Sequence, residues 1–209
     1  MNLPTAVTVA RIAVTPLIAA LPFIPTASAR LWAFGLFLAA ANSDWVDGYL
    51  ARSRKEETDF GRLLDPLADK LFLVGTFVPM YLLAKTMPFQ TPFSDVGLPI
   101  WVVAIVLGRE VTMTLFRQYA ASRGVIIAAI WPAKFKTGVT GVWQGAAYCW
   151  FWLATFAVER NLALRDYQVW GFALGLIGVA SMSLAVALTV YSLFLYLRDY
   201  GKVLGRRPN

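Results

Sequence analysis

Asp44, Asp47, Asp65 and Asp69 are the residues whose type and spacing best suit chemistry. Asp44 and Asp47 are three apart, and Asp65 and Asp69 are four apart. On an α-helix either spacing places both carboxylates on one face. The pairs fall on successive candidate helices joined by a short polar stretch, so the helices run antiparallel and the carboxylates can converge. Two like charges ~4 Å apart repel by about 4 kcal/mol at an effective dielectric of ~20, and a divalent cation removes that repulsion. Hard oxygen donors in a chain with no histidine favour Mg²⁺, Mn²⁺ or Ca²⁺ over zinc. Mg²⁺ commonly shares its shell with phosphate oxygens, so the pattern points to a phosphate-bearing substrate. A general base here must be a carboxylate, a less usual group, or water. A solvated face or a helix cap would explain one such pair. Two pairs beside apolar runs are harder to explain that way, because acids near a bilayer are costly and mark function.

The elements that carry these residues are those of a membrane protein. Of 209 residues, 58% are hydrophobic and 15% charged, against about 25% charged in ordinary soluble domains; the mean hydropathy is +0.60. Six stretches approach the ~20 apolar residues a bilayer-spanning helix needs: 7–24, 31–49, 61–84, 98–121, 137–158 and 170–197. No polar linker or repeat divides them, so residues 1–209 are expected to form a single, all-α, polytopic domain with six transmembrane helices. Arg52, Arg54, Lys55 and Arg62, then Arg123, Lys134 and Lys136, then Arg198, Lys202, Arg206 and Arg207 fall on one side of that layout. The positive-inside bias makes that side, and both termini, cytoplasmic. The net charge of +7 is thereby assigned to orientation and anionic headgroups, and no nucleic-acid partner is expected. Residues 1–10 lack a basic n-region and Arg11 interrupts the apolar run, so the first helix is expected to be retained. Cys149 reads as a small hydrophobe. Trp32, Trp101, Tyr167, Trp170 and Tyr196 lie near span ends and read as interfacial aromatics.

Around the aspartates, Gly48 follows Asp47 and Gly61 opens the third helix. Bare backbone there admits a ligand or close helix packing, and Ala51 fits either. Arg52 can make a bidentate contact to phosphate. The run Asp44-x2-Asp47-Gly48-x2-Ala51-Arg52-x8-Gly61-x3-Asp65-x3-Asp69 matches every position of the signature of the CDP-alcohol phosphatidyltransferase family. On those eight residues, spanning about an eighth of the chain, the sequence resembles that family. The resemblance implies that an alcohol attacks the lipid-side phosphorus of CDP-diacylglycerol and CMP leaves. It implies metal ligation by Asp44, Asp47 and Asp65, with one or two Mg²⁺ or Mn²⁺ ions. It makes Asp69 the general base and a further candidate ligand. It implies nucleotide and donor contacts at Thr8, Asp47, Gly48, Ala51, Arg52, Gly61 and, in the connecting loop, Thr58. A homodimer in the bacterial inner membrane, with the site facing the cytoplasm, is implied as well.

Outside the signature, Asn2-Leu3-Pro4 with Thr8 and Arg11, Arg109-Glu110 with Arg117, and Lys134-Phe135-Lys136-Thr137 are similar to family members whose acceptor is sn-glycerol 3-phosphate. Thr5 and Ala133 depart from their pattern. Such an acceptor carries a phosphate that needs cations. Arg109 and Arg117, eight residues apart, stand roughly 80° apart around a helix and can serve one pocket with Lys134 and Lys136. The two lysines also fit as positive-inside anchors, and Arg109 also fits as a structural partner of Glu110. Phosphatidylglycerol, serine and inositol phosphate are acceptors of other members with the same signature. A membrane prenyltransferase also grips pyrophosphate with aspartates and Mg²⁺, but does not need the Gly-x2-Ala-Arg-x8-Gly interval. A cation transporter would place its acids nearer the midplane.

Overall fold

Proline, glycine and asparagine punctuate the chain where helices begin and end. In a computed structural model, residues 3–54, 59–128 and 130–201 are described, without the side chains of residues 3, 4, 44–54, 59–63, 65 and 164. Six helices run through them: α1 Leu3–Ala20, α2 Ala27–Arg54, α3 Asp59–Leu83, α4 Ile100–Ser122, α5 Trp131–Glu159 and α6 Leu164–Tyr200. A 3₁₀ turn, Leu21–Phe23, closes α1. Pro99 is the N-cap of α4 in an extended conformation, and Pro132 lies in the first turn of α5. Two helices end alike. After α4, Gly124 adopts φ +71°; its N–H bonds to Ala121 O and that of Val125 to Ala120 O. After α5, Asn161 adopts φ 48°; its N–H bonds to Val158 O and that of Leu162 to Ala157 O. These are Schellman closures, which use a left-handed glycine or asparagine to satisfy the last carbonyls.

The helices outrun the expected spans at several ends. The second continues to Arg54, the fifth begins at Trp131 and the sixth reaches Tyr200. Polar residues that hydropathy assigns to connections, Lys134 and Lys136 among them, are therefore helical. Backbone hydrogen bonding does not require an apolar side chain. Among the described residues, three segments are long and apolar enough to cross a bilayer: Thr5–Phe23, Pro66–Leu83 and Arg165–Tyr200.

Side chains from α2, α3 and α5 form the centre. Phe37 stacks on Phe72 at 5.9 Å and on Tyr148 at 5.2 Å, while Phe77 meets Trp143 edge-on at 5.3 Å. Offset and edge-on ring pairs of this kind are the favoured geometries. Thr76 ties α3 to α5 inside this core: its Oγ1 accepts from Gln144 Nε2 at 2.7 Å and its carbonyl from the Tyr148 hydroxyl at 3.2 Å. At the other end of these helices, Phe89–Gln90 and Asp95–Val96 form a small antiparallel hairpin, β1–β2. It presses on α6, where a Cβ at Gly175 would collide with the Gln90 carbonyl oxygen. Near it, the Arg30 guanidinium donates to Pro22 O at 3.0 Å and to Thr155 Oγ1, and Glu159 Oε1 accepts the Ala27 N–H at 2.7 Å. That contact joins the start of α2 to the end of α5, so the two helices are antiparallel. The aspartate-bearing half of α2 is consequently level with the start of α5.

Candidate active site

Positions 44 and 47 lie on α2 and positions 65 and 69 on α3, as the helical spacing predicts. The side chains of Asp44, Asp47 and Asp65 lie outside the described residues, as do those of Ala51 and Arg52. Gly48 belongs to α2 and Gly61 to α3, and Thr58 is outside the described residues altogether. Asp69 is described. Its side chain is 61% exposed, and its Oδ1 accepts from Arg11 Nη1 at 3.2 Å. Arg11 is buried on α1, and its Nη2 donates to Ser43 Oγ on α2 at 3.4 Å. One guanidinium therefore spans from the residue preceding Asp44 to Asp69, drawing the carboxylate-bearing stretches of α2 and α3 together. Close approach of α1 to α3 makes this reach possible: a Cβ at Gly75 would meet Thr15 Cγ2 at 2.6 Å. Thr8 is buried on α1, three residues before Arg11.

A cleft of ≈ 1090 Å³ opens beside Asp69, with walls from α2, α3 and α5. One end is lined by Arg11, Asp69, Glu110, Lys134 and Lys136, the other by Phe34, Leu38, Cys149, Leu174 and Ile177. Lys136 and Cys149 both line it and are separated by about 20 Å of helix rise. Small-molecule pockets typically hold roughly 300–1,000 Å³, so this cleft has room for a large ligand. Its shape and polarity suit an amphipathic one, charged at one end and apolar at the other.

The four basic residues singled out in the sequence have distinct places. Lys134 is exposed and Lys136 is buried, and both line the cleft. Lys136 Nζ donates to Glu110 Oε1, which also accepts from Arg109 Nη1 at 3.1 Å. The pairing of Arg109 with Glu110, raised as an alternative from the sequence, is thus present. Burial pulls the Lys136 ammonium below the ordinary lysine value, and the adjoining Glu110 carboxylate opposes that shift. Arg109 is buried one layer behind the cleft wall and donates from Nη2 to Ser192 Oγ at 3.2 Å. Its Nε is buried without a hydrogen-bond partner among the described residues. Arg117 is exposed and donates from Nη2 to the Tyr196 hydroxyl at 3.2 Å. Neither arginine is among the side chains lining the cleft.

Tyr196 departs from the sequence reading. It is fully buried, not an interfacial aromatic. Proximity to a span end suggests an interface, but the packing of α4 on α6 encloses this face. Sequence spacing alone assigns Arg11 and Glu110 no place in the site. The available signal was an ionisable side chain inside an apolar run, which in a membrane segment points to function.

For a metal, the fit rests on the donors. Asp69 offers a largely exposed carboxylate to the cleft. Positions 44, 47 and 65 add carboxylates on the two helix stretches that Arg11 brackets. An all-oxygen set of this kind suits a hard divalent cation.

Helices long and apolar enough to cross a membrane and a cleft lined by a carboxylate and cations together define a membrane-type helical bundle with a charged site. The model of the CDP-alcohol phosphatidyltransferase family matches residues 1–194, and the chain belongs to that family. It is similar to the Arabidopsis thaliana chloroplastic/mitochondrial CDP-diacylglycerol–glycerol-3-phosphate 3-phosphatidyltransferase 1, 33% identical over 98% of this chain and 64% of that protein. It is similar to a CMP-forming cardiolipin synthase from rice, Oryza sativa subsp. japonica, 32% identical over 98% of this chain and 59% of that one. A CDP-diacylglycerol–glycerol-3-phosphate 3-phosphatidyltransferase from Pectobacterium atrosepticum is 31% identical over 94% of this chain and 93% of its own length. The chain therefore spans less than two thirds of the two plant relatives.

Proposed function

We propose that this chain transfers a phosphatidyl group from CDP-diacylglycerol to sn-glycerol 3-phosphate, forming phosphatidylglycerophosphate and CMP. The observation that carries this reading is the single cleft that joins Asp69 to Lys134 and Lys136 at one end and to an apolar wall at the other. A lipid donor needs the apolar wall, a phosphorylated acceptor needs the cations, and a transferred proton needs the carboxylate. The names of the Arabidopsis and Pectobacterium relatives support the same donor and acceptor.

Asp44, Asp47, Asp65 and Asp69 would hold one or two Mg²⁺ or Mn²⁺ ions. Bound there, divalent metal would offset the charge of the donor pyrophosphate and stabilise departing CMP. Gly48, Ala51, Arg52, Thr58, Gly61, Thr8 and Asp47 form the nucleotide side. Lys134 and Lys136 hold the acceptor phosphate, with Arg109 and Arg117 behind them. Asp69 takes the proton of the attacking hydroxyl, while Arg11 holds Oδ1 and orients the carboxylate. The acceptor oxygen forms a bond to the lipid-side phosphorus as the bond from that phosphorus to the CMP oxygen breaks. Residues 1–209 form one domain with six spans and both termini in the cytoplasm, working as a homodimer in the bacterial inner membrane. This orientation, supported by the distribution of basic residues, lets a membrane-held donor meet a soluble acceptor.

The rice cardiolipin synthase favours a second reading, in which phosphatidylglycerol is the acceptor. An acceptor panel decides between them: purified protein in mixed micelles, CDP-diacylglycerol, Mg²⁺, and CMP release as the readout. The first reading requires sn-glycerol 3-phosphate to give the fastest release. Equal or faster release with phosphatidylglycerol, serine or inositol phosphate would overturn it.

A further inference from the structure

Three helices, α4, α5 and α6, meet at one side chain. The Tyr196 hydroxyl, on α6, accepts from Arg117 Nη2 on α4 at 3.2 Å and from the backbone N–H of Ile130 at 3.1 Å. Ile130 is the N-cap of α5. The Tyr196 ring lies 5.7 Å from the guanidinium carbon of Arg109 and 5.7 Å from that of Arg117. This is within the ~6 Å range of a cation–π contact. One turn earlier on the same face of α6, Ser192 accepts from Arg109 Nη2. Tyr196 and Ser192 are both fully buried. From Arg109 the connection continues through Glu110 to Lys136 in the cleft wall.

We propose that Tyr196 is the positioning residue of the acceptor side of the cleft, its ring holding Arg109 and Arg117 and its hydroxyl fixing Arg117 and the start of α5, from which Lys134 and Lys136 project. The inference rests on the reading that these cations receive a phosphate-bearing acceptor. Held against the rigid ring, Arg109 fixes Glu110 and, through it, Lys136 in the cleft wall before an anion arrives, and such preorganisation raises affinity. The start of α5 has the same need, because the cleft cations are its Lys134 and Lys136, four and six residues after Ile130. Tyr196 touches no reacting atom, so its effect belongs in acceptor binding.

The test is Tyr196→Phe, which keeps the ring and removes the hydroxyl that serves two donors. Initial rates of CMP release are expected to give a KM for sn-glycerol 3-phosphate about tenfold higher, with kcat and the KM for CDP-diacylglycerol within about twofold of the unaltered chain. Calorimetric binding of sn-glycerol 3-phosphate to donor-free protein in detergent should weaken by a similar factor. Arg117→Lys keeps the charge but loses the planar fork, and is expected to raise the same KM by a smaller factor. An unchanged acceptor KM and affinity in Tyr196→Phe would overturn the proposal. So would a loss spread evenly over kcat and both KM values, which is what a purely structural tyrosine gives. If the unaltered chain binds sn-glycerol 3-phosphate but releases no CMP, the transfer reading fails, while the calorimetric comparison still decides the role of Tyr196. No binding by the unaltered chain would overturn both.

Discussion

Replacing Arg11 with glutamine removes the guanidinium that joins Asp69 to Ser43. The bond to Asp69 Oδ1 is 3.2 Å and that to Ser43 Oγ is 3.4 Å, so the second lies near the limit of a useful hydrogen bond. A hydrogen bond to a charged partner contributes roughly 1.5–3 kcal/mol. Asp69 is 61% exposed, however, and water takes over part of what the guanidinium supplies. Exposed ion pairs are worth about 0–1 kcal/mol. About 1 kcal/mol, near the top of that range, is appropriate because the arginine itself is buried. If the whole of it is lost from the orientation of Asp69 in the transition state, kcat falls about fivefold. The assay is CMP release under saturating donor and acceptor, with the unfolding midpoint in detergent followed in parallel. Arg11→Lys should recover part of the loss, since an ammonium restores the charge but not the planar fork. Unchanged kcat in Arg11→Gln would refute the positioning argument. A fall of a thousandfold or more with an unchanged midpoint would also refute it, because orientation of one exposed carboxylate cannot account for that much.

Three further outcomes are expected. Asp69→Asn should reduce CMP release by at least about a hundredfold, at the low end of the 10²–10⁴ typical of a lost general base, while donor binding measured by calorimetry persists. Joint loss of donor and metal binding would make Asp69 chiefly a ligand. Chelation with EDTA should abolish CMP release and added Mg²⁺ or Mn²⁺ should restore it; full activity in excess chelator would remove the metal from the reading. Gly175→Val should lower the unfolding midpoint in detergent, because even a Cβ there would collide with the Gln90 carbonyl oxygen and the hairpin must lift off α6. An unchanged midpoint would show that the hairpin contributes little to holding α6.

The legible part of the site was the part written in local spacing. Asp44 with Asp47, and Asp65 with Asp69, are close in the chain, and the helical period alone assigns each pair to a face. Apolar runs likewise announced most of the helices. Their ends were less legible because hydropathy reports the solvent a side chain prefers, whereas helix ends follow backbone hydrogen bonding, as the Gly124 and Asn161 closures show. The short β1–β2 hairpin gave no periodic signal over its two-residue strands. Arg109 beside Glu110 was readable as a possible pair, but the arrival of Lys136 at the same carboxylate joins residues 26 apart.

Sequence by itself determined that this chain is helical and membrane-embedded, that its carboxylates are paired at helical spacing, and that its signature is that of a CDP-alcohol phosphatidyltransferase. Those properties depend on residue type and short-range periodicity, which survive in any packing of the helices. Only tertiary structure decided that Arg11 meets Asp69 across 58 residues, and that Lys134 and Lys136 line the cleft while Arg109 and Arg117 do not. It also decided that Tyr196 is enclosed between α4 and α6 when a place near a span end suggested an interface. Which face of a helix is buried is settled by its neighbours, and those neighbours are distant in the chain.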